Sequence, residues 1–390
     1  MARRRGNGEG SITRRKDGLY MARYWVETPK GPKRRTLYGK TREEARDKMA
    51  RALADRLDGL VFDDENVTVG EYLDSWLKGS VRGSVRQSTH ERYEVAVRAH
   101  IKPALGRLKL GKLAPAHLAG FYQDRLAAGL APASVNKLHV TLHKALDQAV
   151  RWRMVPRNVA EAVSAPRPSP PEMSTLSPDE TRRLLEAARG DRLEALYVLA
   201  VHAGMRQGEL LALKWQDVDL ENRRLSVRRT ITVSEGRMLL GEPKTKKSRR
   251  TISLTDAAVR ALRGHLARQL EWIEQVGDLY GDQGLVFASE VGTPLNPSNL
   301  RTRSFAALLG RANLPRIRFH DLRHTCATLL LGRNVHPKYV QELLGHANIA
   351  ITLDTYSHVI PGMGDQAARA MEDALSVSAT DKLQPMPPTQ

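Results

Sequence analysis

Two histidines and an arginine on one predicted helix are the first candidates for chemistry. In the stretch RFHDLRHTCATLLLGRN, His320, Arg323 and His324 are spaced i, i+3 and i+4, so one helix face carries all three beside an apolar stripe. The two histidines have the spacing of a zinc pair, but the cation between them disfavours a metal. A core or capping histidine is a second interpretation. Phosphate recognition by this positive face is the interpretation that the sequence favours.

A second arginine occupies an electrostatically unusual place. Arg206 follows Gly204 at the predicted start of a helix, in the stretch HAGMRQGELLALKW. A cation at a helix N-terminus opposes the macrodipole, and the backbone N–H groups there attract anions. Glu209, three residues further on, is placed to hold the guanidinium from one side. The pattern indicates an anion partner for Arg206, although an ordinary surface ion pair has the same spacing.

A basic loop offers a third kind of group. The stretch GEPKTKKSRRTISL predicts a β-hairpin in which Lys244 precedes the turn and RRTISL is the return strand. A lysine close to a scissile phosphate can donate a proton to the departing oxygen. Lys246 and Lys247 make the same loop a plain phosphate-binding loop, so both roles remain open.

Two further candidates lie near the end of the chain. The stretch HPKYVQELLGHANIAITLDTYSHV predicts a helix that Pro337 opens and Gly345 closes, which leaves His346 just beyond its C-terminus. A short helix, capped by Asn348, carries Tyr356 near its end. A lone tyrosine is ordinarily a packing or hydrogen-bonding residue. Only the presence of the other candidate residues in the same sequence indicates a chemical role for Tyr356.

The overall charge indicates the class of partner. The 390 residues include 62 Lys and Arg against 43 Asp and Glu, a net charge of +19. This balance favours a polyanionic partner, with nucleic acid first. Cys326 is the single cysteine, which excludes an internal disulfide and a cysteine-based zinc finger. No apolar run has the length of a membrane span or the character of a signal peptide, so we expect a cytoplasmic, nucleoid-associated protein.

The N-terminal segment is the most basic part of the chain. Residues 1–42 hold thirteen Lys and Arg against three Asp and Glu. Turn sequences separate three predicted strands, and Thr41 with Glu44 forms a capping box before a helix. A small sheet with arginines on one face can enter the major groove of DNA, whereas the alternative is a solvated basic face. The candidate DNA-binding arginines are Arg14, Arg15, Arg23, Arg34 and Arg35.

Changes in composition divide the rest of the chain. A helical pattern with capping boxes at Thr68 and Ser88 gives way to the Pro- and Ser-rich stretch APRPSPPEMSTLSP, and Ser177 then caps a new helix. The sequence predicts a multidomain fold: a small three-stranded β-sheet plus helix, an all-α domain, and a mixed α+β, mainly helical domain. The predicted boundaries are 1–65 for the sheet domain, 66–165 for the helical domain, 166–176 for a linker, 177–378 for the mixed domain and 379–390 for a disordered tail.

In their order along the chain, these residues resemble the tyrosine recombinase family, the integrases of phages and integrative elements. The family pattern is an Arg in an R-x-x-E-L helix, a Lys in a β-hairpin, H-x-L-R-H, L-G-H and a terminal Tyr. The resemblance is specific over roughly residues 175–360 and looser over the helical and sheet domains, which resemble core-site and arm-site DNA-binding domains. The matching residues are Arg206 in RQGEL, Lys244 in PKTKKS, His320 and Arg323 in HDLRH, His346 in LGH and Tyr356 in DTYSH.

The resemblance implies a set of roles around a DNA phosphate. Arg206 and Arg323 brace the phosphate in the transition state. His320 and His346 add hydrogen bonds, and His320 also moves the proton of the attacking phenol. Lys244 protonates the departing 5′ oxygen. The supporting residues expected beside them are Glu209 and His324.

The resemblance also implies the reaction and its partners. Tyr356 is the implied nucleophile and forms a 3′-phosphotyrosyl link that conserves the energy of the broken bond, so no metal, ATP or other cofactor is expected. Four protomers are expected to bind two double-stranded DNA molecules and to exchange one pair of strands at a time. DNA-bending accessory proteins are further candidate partners. An apolar stripe of Ala367, Met371 and Leu375 is expected to dock on a neighbouring protomer or to pack within its own chain.

Other functions account for only part of the pattern. A type IB topoisomerase uses a similar set of side chains, but it rejoins the same strand and has no use for a second DNA-binding module. A non-enzymatic DNA-binding regulator needs the arginines but not the tyrosine. A metal-dependent nuclease needs clustered carboxylates, which Asp321 and the acids at 217–221 do not supply. The expected function is therefore a site-specific DNA recombinase that integrates or excises a mobile element.

Overall fold

A computed structural model describes the fold, and its chain divides into two compact units, Met1–Pro171 and Glu172–Gln390. The predicted fold class is confirmed, because helices dominate and strands are confined to a small N-terminal sheet and to the mixed second unit. The division into three domains, a linker and a tail stays a prediction. The structure describes residues 10–28, 31–57, 67–167, 173–243, 248–356, 368 and 371–375.

The N-terminal sheet has three antiparallel strands, and a helix packs on one of its faces. These elements are β1 (Ser11–Arg14), β2 (Tyr20–Thr28), β3 (Gly31–Gly39) and α1 (Arg42–Leu57). Ala22 and Tyr24 of β2 are buried, and so is Ala45 of α1. The N–H of Glu44 donates to Thr41 Oγ1 over 3.1 Å. The helix therefore begins where the capping pattern predicts.

A helical bundle completes the first unit. Its helices are α2 (Val69–Trp76, continued by the π-helical turn Leu77–Val81), α3 (Gln87–Val95, continued by the π-helical turn Ala96–Ile101), α4 (Lys102–Leu105), α5 (Pro115–Ala127) and α6 (Pro132–Arg151), with 3-10 turns at Leu110–Lys112 and Val159–Ala162. Apolar residues recur along α6 at helical spacing, and Val135, Leu138 and Leu142 are buried. The buried hydroxyl of Tyr72 donates to the Ala145 carbonyl of α6, so its polar atom is satisfied.

The second unit is built around one central helix. Its helices are α7 (Pro178–Ala187), α8 (Glu194–His202), α9 (Gln207–Leu211), α10 (Asp256–Val276), α11 (Pro297–Asn299, continued by the π-helical turn Leu300–Phe305), α12 (Ala306–Arg311), α13 (Asp321–Leu331), α14 (Pro337–Leu344) and α15 (Ile349–Tyr356), with 3-10 turns at Trp215–Asp217 and Gly277–Leu279. Every residue of α8 from 195 to 201 is buried. A helix that is apolar all round belongs inside a domain, and α10 and α13 pack against α8.

The strands of the second unit form two separate sheets. They are β4 (Val218–Asp219), β5 (Arg224–Val227), β6 (Thr230–Ser234), β7 (Arg237–Gly241) and β8 (Arg250–Ser253). β8 pairs with β5, whereas β7 pairs with β6. The hairpin predicted across Lys244 is therefore wrong, because the strands on either side of it belong to different sheets. Glu235 and Gly236 both have positive φ and close β7 onto β6 in a two-residue turn.

Two of the three residues of the predicted apolar stripe lie in the described part of the chain. Ala367 lies outside the described residues, while Met371 and Leu375 are exposed in a helical stretch at 371–375. Within the described part of the chain, no helix combines the length and the apolar character needed to cross a bilayer.

The helix caps predicted at Thr68 and Ser177 are both present as capping boxes, whereas the one predicted at Ser88 is absent. Thr68 Oγ1 accepts from the N–H of Glu71 over 3.2 Å, and the Glu71 carboxylate accepts from the N–H of Thr68 over 2.9 Å. Ser177 and Glu180 exchange the same two bonds. The box predicted at Ser88 is wrong, because α3 begins at Gln87, its N-terminal cap is Arg86, two residues before Ser88, and this cap makes no side-chain hydrogen bond.

We expect Thr68→Ala to lower the free energy of unfolding by about 1 kcal/mol, because it removes the cap of α2. Ser88→Ala is the matched control, since it removes a hydroxyl near a helix start that caps nothing, and its effect should stay within about 0.5 kcal/mol. Urea unfolding followed by circular dichroism measures both variants. An equal loss for the two would contradict a specific contribution of the Thr68 cap.

Candidate active site

One cavity of the second unit collects four of the six predicted catalytic residues. Arg206, His320, Arg323 and His346 line it together with Glu209, and its volume is about 470 Å³. The side chains come from the starts of α9 and α13 and from the loop after α14, which are far apart in sequence. The fold thus places guanidinium and imidazole groups around one cavity.

A tight turn before α9 positions Arg206. Gly204 has a left-handed φ of 56°, and a Cβ at this position would lie 2.6 Å from the Leu344 side chain. Only glycine meets both conditions. Arg206 then starts α9, and its Nη1 donates to Glu209 Oε1 over 2.9 Å. The predicted pairing of Arg206 with Glu209 is therefore present.

Glu209 is a buried carboxylate between two arginines. It is 3% exposed, and besides Arg206 it accepts hydrogen bonds from Arg250 Nη1 and Nη2 at 3.3 and 2.9 Å. Burial raises the pKa of Glu209, but the hydrogen bond and charge of Arg250 and the charge of Arg206 outweigh burial and leave the pKa below its ordinary value. Glu209 is therefore ionised at neutral pH and fixes both guanidinium groups.

Arg323 is held inside the protein by backbone carbonyls. Its side chain donates to the carbonyl of Gly204 over 2.8 Å and to that of Leu344 over 2.5 Å. Burial, followed by the charges of Arg206 and Arg250, lowers its pKa to about 9. Arg323 remains charged at neutral pH, but in a repulsive environment. An anion in the cavity would relieve that repulsion.

Three consecutive carbonyls at the end of α14 receive three different arginines. The last carbonyls of a helix lack partners within the helix and form the negative end of its dipole. They are natural acceptors for guanidinium groups. The pairs are Arg250 with Leu343 at 2.5 Å, Arg323 with Leu344 at 2.5 Å and Arg206 with Gly345 at 3.4 Å.

The two histidines of the cavity are neutral at pH 7. Burial is the main cause that lowers the pKa of His320 to about 4, and the charges of His324, Arg323 and Arg206 add to it. Burial and the charges of Arg323 and Arg206 lower the pKa of His346 to about 4 as well. His346 Nδ1 lies 2.9 Å from Thr352 Oγ1, which leaves Nε2 for a ligand. His320 stays exposed at the mouth. A neutral imidazole can donate one hydrogen bond and accept a proton.

Tyr356 is not among the described residues that line this cavity. It is 1% exposed, and its hydroxyl lies 2.7 Å from His324 Nδ1. Burial raises the pKa of Tyr356 to about 12, and the charge of Arg323 offsets only part of that rise. In this conformation the phenol contacts His324 rather than His320, to which the sequence assigned the phenol proton. The buried residues that form a cluster with the tyrosine ring are Ala327, Leu331, Val340 and Leu344.

The basic loop of the second unit is described only at its edges. Lys244, Lys246 and Lys247 lie outside the described residues. Pro243 and Ser248, on either side of them, both line the cavity. The role of Lys244 stays a prediction.

The exposed face of the N-terminal sheet carries two of the five predicted arginines. Arg34 of β3 pairs directly with the exposed Trp25 of β2. Arg23, two residues before Trp25, shares that face, because side chains alternate along a strand. Arg15 lies in the turn after β1, with its guanidinium 5.4 Å from the centre of the Tyr38 ring.

The expectation of a single arginine-bearing face is wrong for the other two. Arg35 pairs with the buried Tyr24, and Arg14 pairs with Tyr20, so both belong to the opposite face. Adjacent strand residues such as Arg34 and Arg35 point to opposite faces, which the sequence alone required.

Arg250 is a site residue that the sequence analysis missed. Its side chain is 7% exposed, and it joins Glu209 to the end of α14. Strand alternation offered a signal, because Ile252, two residues on, belongs to the core and shares its face with Arg250. Thr230 and Thr232 of β6 also line the cavity and were not predicted.

This arrangement can bind a phosphodiester and stabilise additional negative charge on it. Guanidinium groups match phosphate oxygens with paired hydrogen bonds. The carbonyls and the Glu209 carboxylate hold Arg206 and Arg323 in place before a ligand arrives, so little reorganisation is required when charge develops.

Two family models match the chain. The phage integrase family matches residues 174–362, and the phage integrase N-terminal SAM-like domain matches residues 68–126. The first match contains all the described residues that line the cavity.

Curated relatives match over most of the chain. A XerC-like tyrosine recombinase from Caldanaerobacter subterraneus is 34% identical over 359 residues, which are 87% of this chain and 92% of the relative. An integrase from Streptomyces ambofaciens is 31% identical over 379 residues, which are 91% of this chain and 94% of the relative.

Solved structures of similar fold are DNA complexes of integrases. The Tn1549 transposon integrase with a circular intermediate DNA has a TM-score of 0.65 and 21% identity, covering 79% of this chain and 100% of the other. A lambda integrase tetramer bound to a Holliday junction has a TM-score of 0.57 and 22% identity, covering 90% of this chain and 96% of the other.

We expect Glu209→Gln to lower the free energy of unfolding by about 3–5 kcal/mol at pH 7, because it leaves the buried Arg250 without its counter-charge. Since the folded pKa of Glu209 is lowered, its charge stabilises the fold above the ordinary pKa of 4.5, and that contribution is lost as the pH falls through the folded pKa. Urea unfolding at several pH values should show the difference between wild type and variant shrinking toward acid.

Glu242→Gln is the matched control for this prediction. Glu242 pairs with Arg249 at the surface, with both side chains exposed. Its substitution should cost less than about 1 kcal/mol. A Glu209→Gln loss no larger than this would contradict the importance of the buried carboxylate.

Proposed function

We propose a mechanism and partners for this chain on the premise that it belongs to the phage integrase family, as its 34% identity to the XerC-like recombinase over 87% of its length shows. The chain is a site-specific DNA recombinase of the tyrosine type. The observation that carries the mechanism is the convergence of Arg206, His320, Arg323 and His346 on one cavity.

The cavity holds the scissile phosphate of DNA. Arg206 and Arg323 grip its two non-bridging oxygens, and the neutral His346 donates a hydrogen bond from Nε2. As a fifth oxygen attacks phosphorus, the charge on these oxygens changes, so fixed cations contribute most in the transition state. Glu209 and the carbonyls at the end of α14 hold the two arginine side chains in position.

Tyr356 supplies the nucleophile. Its phenolic oxygen bonds to phosphorus as the bond from phosphorus to the 5′ oxygen breaks, which leaves a 3′-phosphotyrosyl link and a free 5′ end. The neutral His320 takes the phenol proton, and Lys244 donates a proton to the departing 5′ oxygen. The Tyr356 hydroxyl must first leave His324 and enter the cavity.

Strand exchange follows from the reversibility of this step. The phosphotyrosyl link conserves the bond energy, so the reaction consumes no ATP and needs no metal. A 5′ hydroxyl from a second duplex attacks the link and releases the tyrosine. Exclusion of water from the cavity keeps hydrolysis from competing.

DNA duplexes and further copies of the chain are the proposed partners. The lambda integrase forms a tetramer on a Holliday junction, and we assign the same assembly to this chain on two duplexes. Residues 66–165 bind core sites, in line with the SAM-like match at 68–126, and residues 177–378 catalyse. Residues 1–65 bind arm-type sites, with 166–176 as linker and 379–390 as tail. DNA-bending accessory proteins and a location on the nucleoid complete the proposal.

The wild-type protein should form a covalent complex with a suicide DNA duplex nicked near the cleavage site. Tyr356→Phe should form none, because it lacks the attacking oxygen. Arg323→Lys should slow formation about 10²-fold, because lysine keeps the charge but loses the fork. Denaturing gel electrophoresis of labelled DNA measures the complex.

Two controls make this result specific. Tyr339→Phe removes the hydroxyl of an exposed tyrosine of α14 and should leave the complex unchanged. EDTA should also have no effect. A complex that disappears with EDTA, or that persists in Tyr356→Phe, would contradict the mechanism.

We expect Arg23→Ala and Arg34→Ala each to weaken binding of the full chain to duplex DNA and to reduce the slope of log affinity against log salt by about 1, as loss of one phosphate contact does. Arg35→Ala is the matched control, because Arg35 lies on the opposite face of the sheet. Fluorescence anisotropy across a salt series measures the slopes. Equal slopes for Arg34→Ala and Arg35→Ala would argue against the exposed face as the DNA surface.

A further inference from the structure

The Tyr356 hydroxyl lies in a site that His324 completes. Tyr356 Oη is 2.7 Å from His324 Nδ1, and the ring centroids are 5.8 Å apart. Burial lowers the pKa of His324, so its ring is neutral at pH 7. A phenol has one proton to donate and a neutral imidazole has one acceptor nitrogen. We assign the phenol as donor and His324 Nδ1 as acceptor of this hydrogen bond, which corresponds to the tautomer with its proton on Nε2.

This position of the hydroxyl is unsuited to attack. Tyr356 does not line the cavity that contains Arg206 and Arg323. Burial raises the pKa of Tyr356 to about 12, so its phenol proton is harder to remove than that of a solvent-exposed tyrosine. A protonated phenol away from the arginines is a poor nucleophile.

His324 contacts both the phenol and a ring that lines the cavity. Its ring centroid is 5.2 Å from that of His320, which lines the cavity, and the two rings meet edge to face. His324 itself is not among the described lining residues. The His324 ring thus connects the phenol to the wall of the cavity through two ring contacts.

We propose that His324 is a positioning residue that holds the Tyr356 hydroxyl in a resting place outside the cavity, and that this hydrogen bond must break before DNA is cleaved. The inference rests on the proposed function, in which Tyr356 is the nucleophile. It assigns to His324 a role separate from that of His320, which receives the proton during attack.

The hydrogen bond between Tyr356 and His324 makes a measurable contribution to the stability of the resting position. A buried hydroxyl without an acceptor is costly, because it has given up its bonds to water. Removing the acceptor should therefore shift the equilibrium of Tyr356 from the resting place toward the cavity by about tenfold.

Two amide substitutions isolate the acceptor at Nδ1. The amide of His324→Asn lies where Nδ1 was, so this variant keeps an acceptor for the phenol. The amide of His324→Gln lies where Nε2 was, so the acceptor near the phenol is lost. Both replacements are neutral and polar, which makes them a matched pair.

The experiment uses the full chain and two readouts. Nitration of Tyr356 by tetranitromethane in the free protein, quantified by peptide mapping, reports release of the hydroxyl. Single-turnover cleavage of the nicked suicide duplex reports delivery to the cavity. Tyr72 and Tyr197 are fully buried, and protection of both from nitration verifies that each variant is folded.

We expect His324→Gln to be nitrated at Tyr356 about tenfold faster than wild type and to cleave several-fold faster, and His324→Asn to be nitrated like wild type. Equal nitration in wild type and His324→Gln would overturn the inference. Slower cleavage by His324→Gln despite faster nitration would also overturn it, because His324 would then be needed in the reaction itself. Should His324→Gln unfold, faster Tyr356 nitration in a folded His324→Ala supports the inference, and wild-type nitration there overturns it.

Failure of the proposed function gives a different result. If Tyr356 is not the nucleophile, wild type forms no covalent complex, or Tyr356→Phe still forms one. If only the role of His324 is wrong, wild type forms the complex, Tyr356→Phe does not, and the His324→Gln variant matches wild type in both readouts.

Discussion

The carbonyl groups at the C-terminal end of α14 are the contacts on which the site depends. Three successive carbonyls accept from Arg250, Arg323 and Arg206. A helix cannot satisfy its last carbonyls itself, and its dipole makes that end negative. The same end carries a left-handed Gly345, after which His346 enters the cavity. One helix terminus therefore orients three guanidinium groups and introduces an imidazole.

Close packing of these cations requires a counter-charge, and Glu209 provides it. The lowered pKa of Arg323 measures how strongly burial and the other two arginines oppose its charge. Glu209 binds Arg206 and Arg250 and is itself buried. With one carboxylate among three arginines, the group keeps a net positive charge, which a phosphodiester anion would neutralise in part. The close packing of these charged groups fixes the arginines in place and also leaves a positive charge that favours an anion.

Local patterns predicted most residues of the site and the pairing of Arg206 with Glu209, but not the contacts between distant segments. The i, i+3, i+4 spacing and the helix caps depend on neighbours in sequence, and His320, Arg323 and His346 were found in this way. Arg250 contacts a carbonyl 93 residues away, and β8 pairs with β5 rather than with the strand before it. Such contacts are decided by packing of distant segments. Whether the phenol meets His320 or His324, four residues apart, depends likewise on how α15 packs against α13.

The phenol lies outside the cavity that contains the arginines, and this separation matters for the proposed mechanism. Cations fixed in advance favour any phosphodiester, so they cannot by themselves decide when a strand is cut. In the proposed mechanism, the position of Tyr356 decides it. Burial raises the pKa of its phenol, while the charge of Arg323 lowers it. Because this electrostatic effect grows as distance shrinks, the movement that brings the phenolic oxygen toward phosphorus also makes its proton easier to remove. Delivery and activation of the proposed nucleophile are thus one step.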